Sequence, residues 1–206
     1  MRGFPFVTAV CLTRNRRQWL PKAIQCFLSQ TYHNSELLIL SDGEDVRNVV
    51  PEDKRIRLLH LDGKPQIGAK RNLGCHRAQG EIIVHWDDDD FSSPRRIEDQ
   101  VARLTASGRA VTGYNSMRFT NGEKWWTYRG SPHYALGTSL CYRRHWALAH
   151  PFPDLQIGED NAFGVTAQNA GELLCVEAGE LMYATIHAGN TSPKNIPLRL
   201  RINTKR

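Results

Sequence analysis

The run Phe6-Val7-Thr8-Ala9-Val10-Cys11-Leu12-Thr13 is almost unbroken in apolar and β-branched residues, the pattern of a strand buried on both faces. Arg14-Asn15-Arg16-Arg17 interrupts it with a polar break. Leu20, Ile24, Phe27 and Leu28 then recur at helical spacing, which predicts an amphipathic helix from about residue 17 to 30. Glu36 to Ser41 reads as a second strand, stopped by the turn signal Asp42-Gly43, and Arg55 to His60 as a third. Gly68 opens a helix that Gly80 closes. Glu81 to Trp86 is a fourth strand that runs straight into Asp87-Asp88-Asp89-Asp90. After it, Ser93 is expected to cap a helix with Pro94 at its first position and Ile97, Val101 and Leu104 as its buried stripe.

Strands alternating with helices imply an α/β fold with a mostly parallel sheet covered on both faces. Such sheets bind ligands at the carboxyl ends of their strands, and Asp42 and Asp87 both fall there. The second half is patterned differently. Asn121-Gly122 between extended stretches reads as a hairpin turn. Gly137 to Tyr142 reads as a strand, Glu159 to Ala170 as a helix ended by Gly171, and Leu173 to Val176 and Leu181 to Ile186 as closing strands. No repeat or linker divides the chain. Residues 1–192 are therefore expected to form a single domain, and 193–206, with Arg199, Arg201, Lys205 and Arg206, a basic tail.

Composition agrees with this picture: 206 residues, 40% apolar and 23% charged, suit one sizeable globular domain. No apolar run reaches the ~18–20 residues that span a bilayer. Met1 to Phe6 leads into the first strand without a cleavage pattern, so the expected location is cytoplasmic, at most peripheral to a membrane surface. The formal charge of +6 suits anionic partners, although a plain basic surface accounts for it equally well. The five cysteines form no C-x-x-C pair and read as reduced core thiols.

Four adjacent carboxylates repel one another, and burying one without a partner is costly. A strand that delivers them directly suggests a bound cation, and oxygen ligands suit Mg²⁺ or Mn²⁺ bridging carboxylates to substrate phosphates. The plain alternative is a solvated acidic turn. Asp42 can likewise be a turn residue, Lys70 and Arg71 a solvated helix face, and Glu159 and Asp160 the helix-capping carboxylates that the dipole favours.

Asp87-Asp88-Asp89-Asp90-Phe91-Ser92-Ser93-Pro94 resembles the Asp-x-Asp-Asp, three residues, Pro pattern of the family 2 glycosyltransferases, whose fold is GT-A, a Rossmann-like three-layer sandwich. Thr13-Arg14-Asn15, Gln30-Thr31-Tyr32, Ser41-Asp42-Gly43 and Ala69-Lys70-Arg71-Asn72-x-Gly74 resemble further landmarks of that family. The resemblance implies a metal-dependent transfer of sugar from a nucleoside-diphosphate sugar, UDP-linked on family frequency, to a saccharide or other hydroxyl acceptor, with inversion. It implies Asp89 as metal ligand with Asp90 and His187 nearby. Asp87 faces the ribose or sugar, and the run of four leaves Asp88 open as a ligand. Thr13, Arg14 and Asp42 lie on the nucleotide, with Lys70 or Arg71 approaching it. In Gly158-Glu159-Asp160, which resembles the family's Glu-Asp, Asp160 is the general base, able to take the proton of a poorly nucleophilic hydroxyl. His187 sits in a segment similar to the family's late His-x-x-Asn-x-Ser.

Trp125, Trp126, Tyr128, His133 and Tyr134 gather near the hairpin and could form an acceptor lip. Neighbours on a strand point opposite ways, so either Trp125 or Trp126 is expected to pack instead. Two rivals remain. A nucleotidyltransferase of related fold would carry a glycine-rich loop after the first strand, where this chain has none. A basic nucleic-acid binder would carry a recognition motif, and none appears.

Overall fold

The computed structural model describes residues 3–191, so the predicted basic tail lies outside the described residues. Strand β1 (Val7–Thr13) pairs in parallel with β2 (Ser35–Asp42) on one side and β4 (Ile82–His85) on the other, and β2 carries β3 (Ile56–Leu61) beyond it. All eight residues of β2 are buried, as its unbroken apolar run requires. Beyond β4 the sheet becomes mixed. β8 (Cys141–Arg143) runs antiparallel between β4 and the long β6 (Val111–Thr120), and β10 (Met182–Thr185) and the two-residue β5 (Phe91–Ser92) complete that edge. β6 also pairs antiparallel with β7 (Trp125–Arg129) and parallel with β9 (Leu173–Glu177), with a register break between Tyr114 and Ser116.

Helices cover both faces. Helices α1 (Leu20–Leu28) and α3 (Arg96–Ser107) bury Leu20, Phe27, Ile97 and Leu104 against Val7, Ala9, Cys11 and Val84. The opposite face is covered by α2 (Ile67–Arg77), α4 (Arg144–Ala149) and α5 (Glu159–Asn169), and there Cys75, Ala147 and Phe163 meet Val10, Leu38 and Ile83. This is the expected three-layer α/β sandwich around a mostly parallel sheet. All five cysteines are unpaired. Among the described residues, no helix is long and apolar enough to cross a membrane.

Three local expectations are corrected. The first helix begins at Leu20, because residues 17–19 form a turn and Pro21 sits in the first helical turn, where its missing N–H is harmless. Ser93 does not cap α3: pairing of Phe91–Ser92 with β10 delays the helix to Arg96, and Ser93 Oγ accepts the Arg95 N–H in the preceding turn. Gly137 to Tyr142 is not one strand. Gly137–Ser139 forms a 3₁₀ turn, with Ser139 Oγ accepting the Tyr114 N–H and donating to the Leu136 carbonyl, so only the end of the run joins the sheet.

Candidate active site

β1 is the point at which the strand order reverses, with β2 and β3 on one side and β4 on the other. The loops leaving the carboxyl ends of β1 and β4 therefore diverge and open a crevice. Trp86 fixes where the acidic run leaves the sheet: its backbone N–H bonds Val10, its indole N–H donates to the Ala23 carbonyl, and the Arg96 guanidinium lies 5.1 Å from its ring. Arg96 is fully buried and donates to the carbonyls of His85 and Thr138 and to Ser92 Oγ, tying β4 to the 3₁₀ turn.

The four aspartates have different surroundings. Asp90 accepts from Thr138 Oγ1 at 2.6 Å and from the Thr185 N–H at 3.0 Å. Asp89 Oδ2 is met by Arg16 Nη1 at 3.1 Å, Asn190 Nδ2 at 3.1 Å and His187 Nε2 at 2.9 Å. His187 is itself stacked on Trp19. Asp88 Oδ1 accepts from Arg16, while its buried Oδ2 has no hydrogen-bond partner among the described residues. Burial pushes the Asp88 carboxyl up to about 6; Arg16 opposes the shift and Asp89 adds to it. Asp87 is half-buried and opens onto the crevice.

Oxygens of Asp87, Asp89 and Asp90 all lie within 4.8 Å of one another. An all-carboxylate donor set of this kind fits a hard divalent cation, and the unpaired Asp88 oxygen beside it is the sort of buried acceptor a ligand would satisfy. The triad contains Asp87, which the sequence reading sets against the ribose or sugar, and its Asp87-x-Asp89 spacing fits a DxD motif. His187 joins it indirectly, through Asp89.

Lys70 and Arg71 are adjacent on α2 and serve different places. Lys70 Nζ reaches Asp42 Oδ1 at 2.6 Å, and Arg14 reaches Asp42 Oδ2 at 2.6 Å, so fully buried Asp42 is held between two cations. Arg71 Nε pairs with Glu159 Oε1 at 2.9 Å. Burial alone would lower the Arg71 pKa, but Asp87, Glu159 and Asp160 outweigh it and raise it. Burial raises Glu159 against the pull of Arg71. Arg71 is thus an electrostatic link between the carboxylates after β4 and those that start α5.

The α2 motif explains this convergence. A Cβ at Gly68 would lie 1.8 Å from the Pro153 carbonyl oxygen, so only glycine lets that chain segment pass. Asn72 grips Phe152 from both sides, donating to its carbonyl at 2.8 Å and accepting its N–H at 2.9 Å. Gly158, at φ +90°, then turns the chain into α5, a conformation that favours glycine. Asp160 arrives against the 3₁₀ turn so closely that a Cβ on Gly137 would stand 1.5 Å from its Oδ2.

Between these groups lies a cavity of about 580 Å³. Asp87, Asp88, Asp89, Arg16 and Arg71 line one side, Glu159 and Asp160 lie at the start of α5, and Trp126, Tyr128 and Tyr134 form an aromatic side. Thr13, Arg14, Asp42 and Lys70 lie off its walls, as a neighbouring group at the carboxyl ends of β1 and β2. Asp90 stands behind, and His187 beside, Asp89. Trp125 points away from the cavity, edge-on to Tyr183 and 4.2 Å from the Arg118 guanidinium, so the two tryptophans divide as strand alternation requires. Sequence reasoning missed Arg16, whose one signal was its place in a polar break, and Thr138, which lay inside a mistaken strand.

The family model described as "Glycosyl transferase family 2" matches residues 8–166. An uncharacterised glycosyltransferase of Haemophilus influenzae is 31% identical over 119 residues, 55% of this chain and 48% of that protein. A putative colanic acid biosynthesis glycosyl transferase, WcaA, of Escherichia coli is 35% identical over 103 residues, 47% of this chain and 37% of that protein. The match thus spans less than half the length of these curated relatives. Staphylococcus aureus TarS (residues 1–349), solved with UDP-GlcNAc, superposes with a TM-score of 0.73 at 19% identity, covering 90% of this chain and 60% of that one. The mannosyltransferase PcManGT of Pyrobaculum calidifontis, solved with GDP-Man and Mn²⁺, gives 0.70 at 15% identity, covering 93% and 58%. At such identities the structural likeness establishes the GT-A fold.

Proposed function

The chain belongs to glycosyl transferase family 2, and we propose that it is a nucleotide-sugar-using enzyme that moves a sugar from a UDP-linked donor to a saccharide or other hydroxyl acceptor with inversion. The observation that carries this reading is the convergence of Asp87 and Asp89 of the acidic triad, Arg71 and Asp160 on one cavity, with Asp90 behind them. The UDP, GDP and Mn²⁺ complexes of fold relatives support the substrate class.

Asp89, Asp90 and Asp87 would hold Mn²⁺ or Mg²⁺, with His187 orienting Asp89. Such an ion supplies positive charge that offsets the charge developing on the departing diphosphate. Thr13, Arg14, Asp42 and Lys70 form the nucleotide edge. Asp88 and Arg71 face the sugar diphosphate. Arg71 also holds Glu159, and through it the first turn of α5, in place. Asp160 accepts the proton of the acceptor hydroxyl as that oxygen attacks the anomeric carbon. Its two neighbours, the Gly137 surface and the Asn161 N–H that its Oδ1 accepts at 2.7 Å, restrict the carboxylate to one side of the cavity. The domain acts in the cytoplasm, free or at a membrane surface.

The test is Asp160→Asn. It should keep the melting-temperature rise given by UDP-sugar with Mn²⁺ and lose transfer by about 10²–10⁴-fold, the usual contribution of a positioned base. Full transfer by a variant that binds donor normally would remove Asp160 from the role.

A further inference from the structure

Beyond Tyr134 lies a second cavity, of about 350 Å³, that the transfer step does not use. Tyr134 and Asn161 line both cavities, so the two hollows adjoin across these two residues. Helix α5 builds the new wall. Asn161, Gly164, Val165 and Gln168 recur at helical spacing along one face, while Phe163 and Ala167 bury the other in the core. A Cβ on Gly164 would meet no atom within 4 Å, so the glycine leaves this cavity wide. It does so although glycine within a helix costs about 0.5–1 kcal/mol relative to alanine.

The lining decides what fits. Ser131, His133, Asn161 and Gln168 offer a hydroxyl, an imidazole and two amides, and Tyr134 and Val165 offer apolar surface. Among the described residues, no lysine, arginine, aspartate or glutamate takes part. That is a poor cradle for phosphate or carboxylate and a good one for a neutral ring with hydroxyls on its edge and C–H groups on its face. The size is at the lower end of the ~300–1,000 Å³ usual for ligand pockets, which suits one ring rather than a long chain. The direction is also set: Asp160 and Asn161 both line the main cavity and Asn161 also lines the second, so a group bound past Asn161 adjoins the hydroxyl that Asp160 would deprotonate.

We propose that the second cavity is a distal acceptor subsite: it holds the sugar ring next to the one that receives the new linkage, so the acceptor is a saccharide of at least two rings. This rests on the transfer reading above and adds the acceptor's class to it.

Gly164→Trp fills the cavity from an open helical position, and Gly164→Ala is the control that adds one methyl. Transfer from UDP- and GDP-sugars would be measured to p-nitrophenyl glucoside, galactoside and N-acetylglucosaminide and to the maltoside, lactoside and chitobioside. The wild-type protein should show at least about tenfold higher kcat/KM on a two-ring acceptor than on its one-ring counterpart, equivalent to about 1.4 kcal/mol. Gly164→Trp should erase that advantage while Gly164→Ala keeps it, with donor hydrolysis unchanged and the melting temperature not lowered in both. The subsite is overturned if no two-ring acceptor outruns its counterpart, or if the tryptophan leaves the preference intact. A wild-type protein that neither binds nor hydrolyses any of the donors overturns the transfer reading itself, and the subsite with it.

Discussion

On one side of the main cavity stand Asp87, Asp88 and Asp89 with Arg16 and Arg71; on the other stand Trp126, Tyr128 and Tyr134. The acidic side is delivered by buried parallel strands and cross-linked by ion pairs and hydrogen bonds of about 3 Å. The aromatic side comes from the β6–β7 hairpin and the loop after it, held by ring contacts such as Phe119 edge-on to Tyr128. The first arrangement fixes charge in space and tolerates little displacement. The second offers area and shape, which tolerate more. Under the proposed function, donor chemistry belongs to the first and acceptor choice to the second.

Substitutions should separate the two in order of size. Asp89→Ala should remove the several kcal/mol of charge stabilisation assigned to a bound cation, a fall in transfer of about 10³-fold. It should also abolish the extra melting-temperature rise that Mn²⁺ gives with UDP-sugar. An unaltered Mn²⁺ response would show that the acidic side holds no metal. Gly137→Ala comes next. The added methyl must displace Asp160, and a misplacement of about 1 Å costs on the order of 10²-fold in rate; kcat should fall while donor affinity holds. Trp126→Ala should be milder, raising acceptor KM by about 3–10-fold, the worth of one aromatic stacking contact, with donor KM unchanged. Trp125→Ala, one residue away on the outer face, should leave both KM values alone. If Trp125 and Trp126 proved equivalent in steady-state kinetics, the assignment of the aromatic side to the acceptor would fail.

The same division governs what the sequence disclosed. Strands β1 to β4 are continuous apolar runs because both their faces are buried, so periodicity finds them, and Asp42 and Asp87 can be placed at their ends before any coordinates exist. The hairpin at Asn121-Gly122 was legible and joins β6 to β7, but β6 pairs with four other strands along its length and carries Gly113, Asn115 and Ser116 within it, which hides its extent from a reading by alternation. Leu140 looked like the middle of a strand, yet the side-chain hydrogen bonds of Ser139 make a turn there instead. Arg16 was one of four polar residues in a loop. Its importance lies in contacts 72 and 73 residues away, and no local pattern encodes such a separation. Lys70 and Arg71 were legible as a pair but not as individuals, since only the packing of α2 shows which faces the cavity.

That last pair makes α2 a lever with a fixed gearing. Consecutive residues sit about 100° apart around a helix axis, so one rigid rod grips Asp42 at the end of β2 through Lys70 and Glu159 at the start of α5 through Arg71. Neither grip can rotate without turning the other. Under the proposed function, the placing of the nucleotide edge and of the proton acceptor is thereby geared to a single axle.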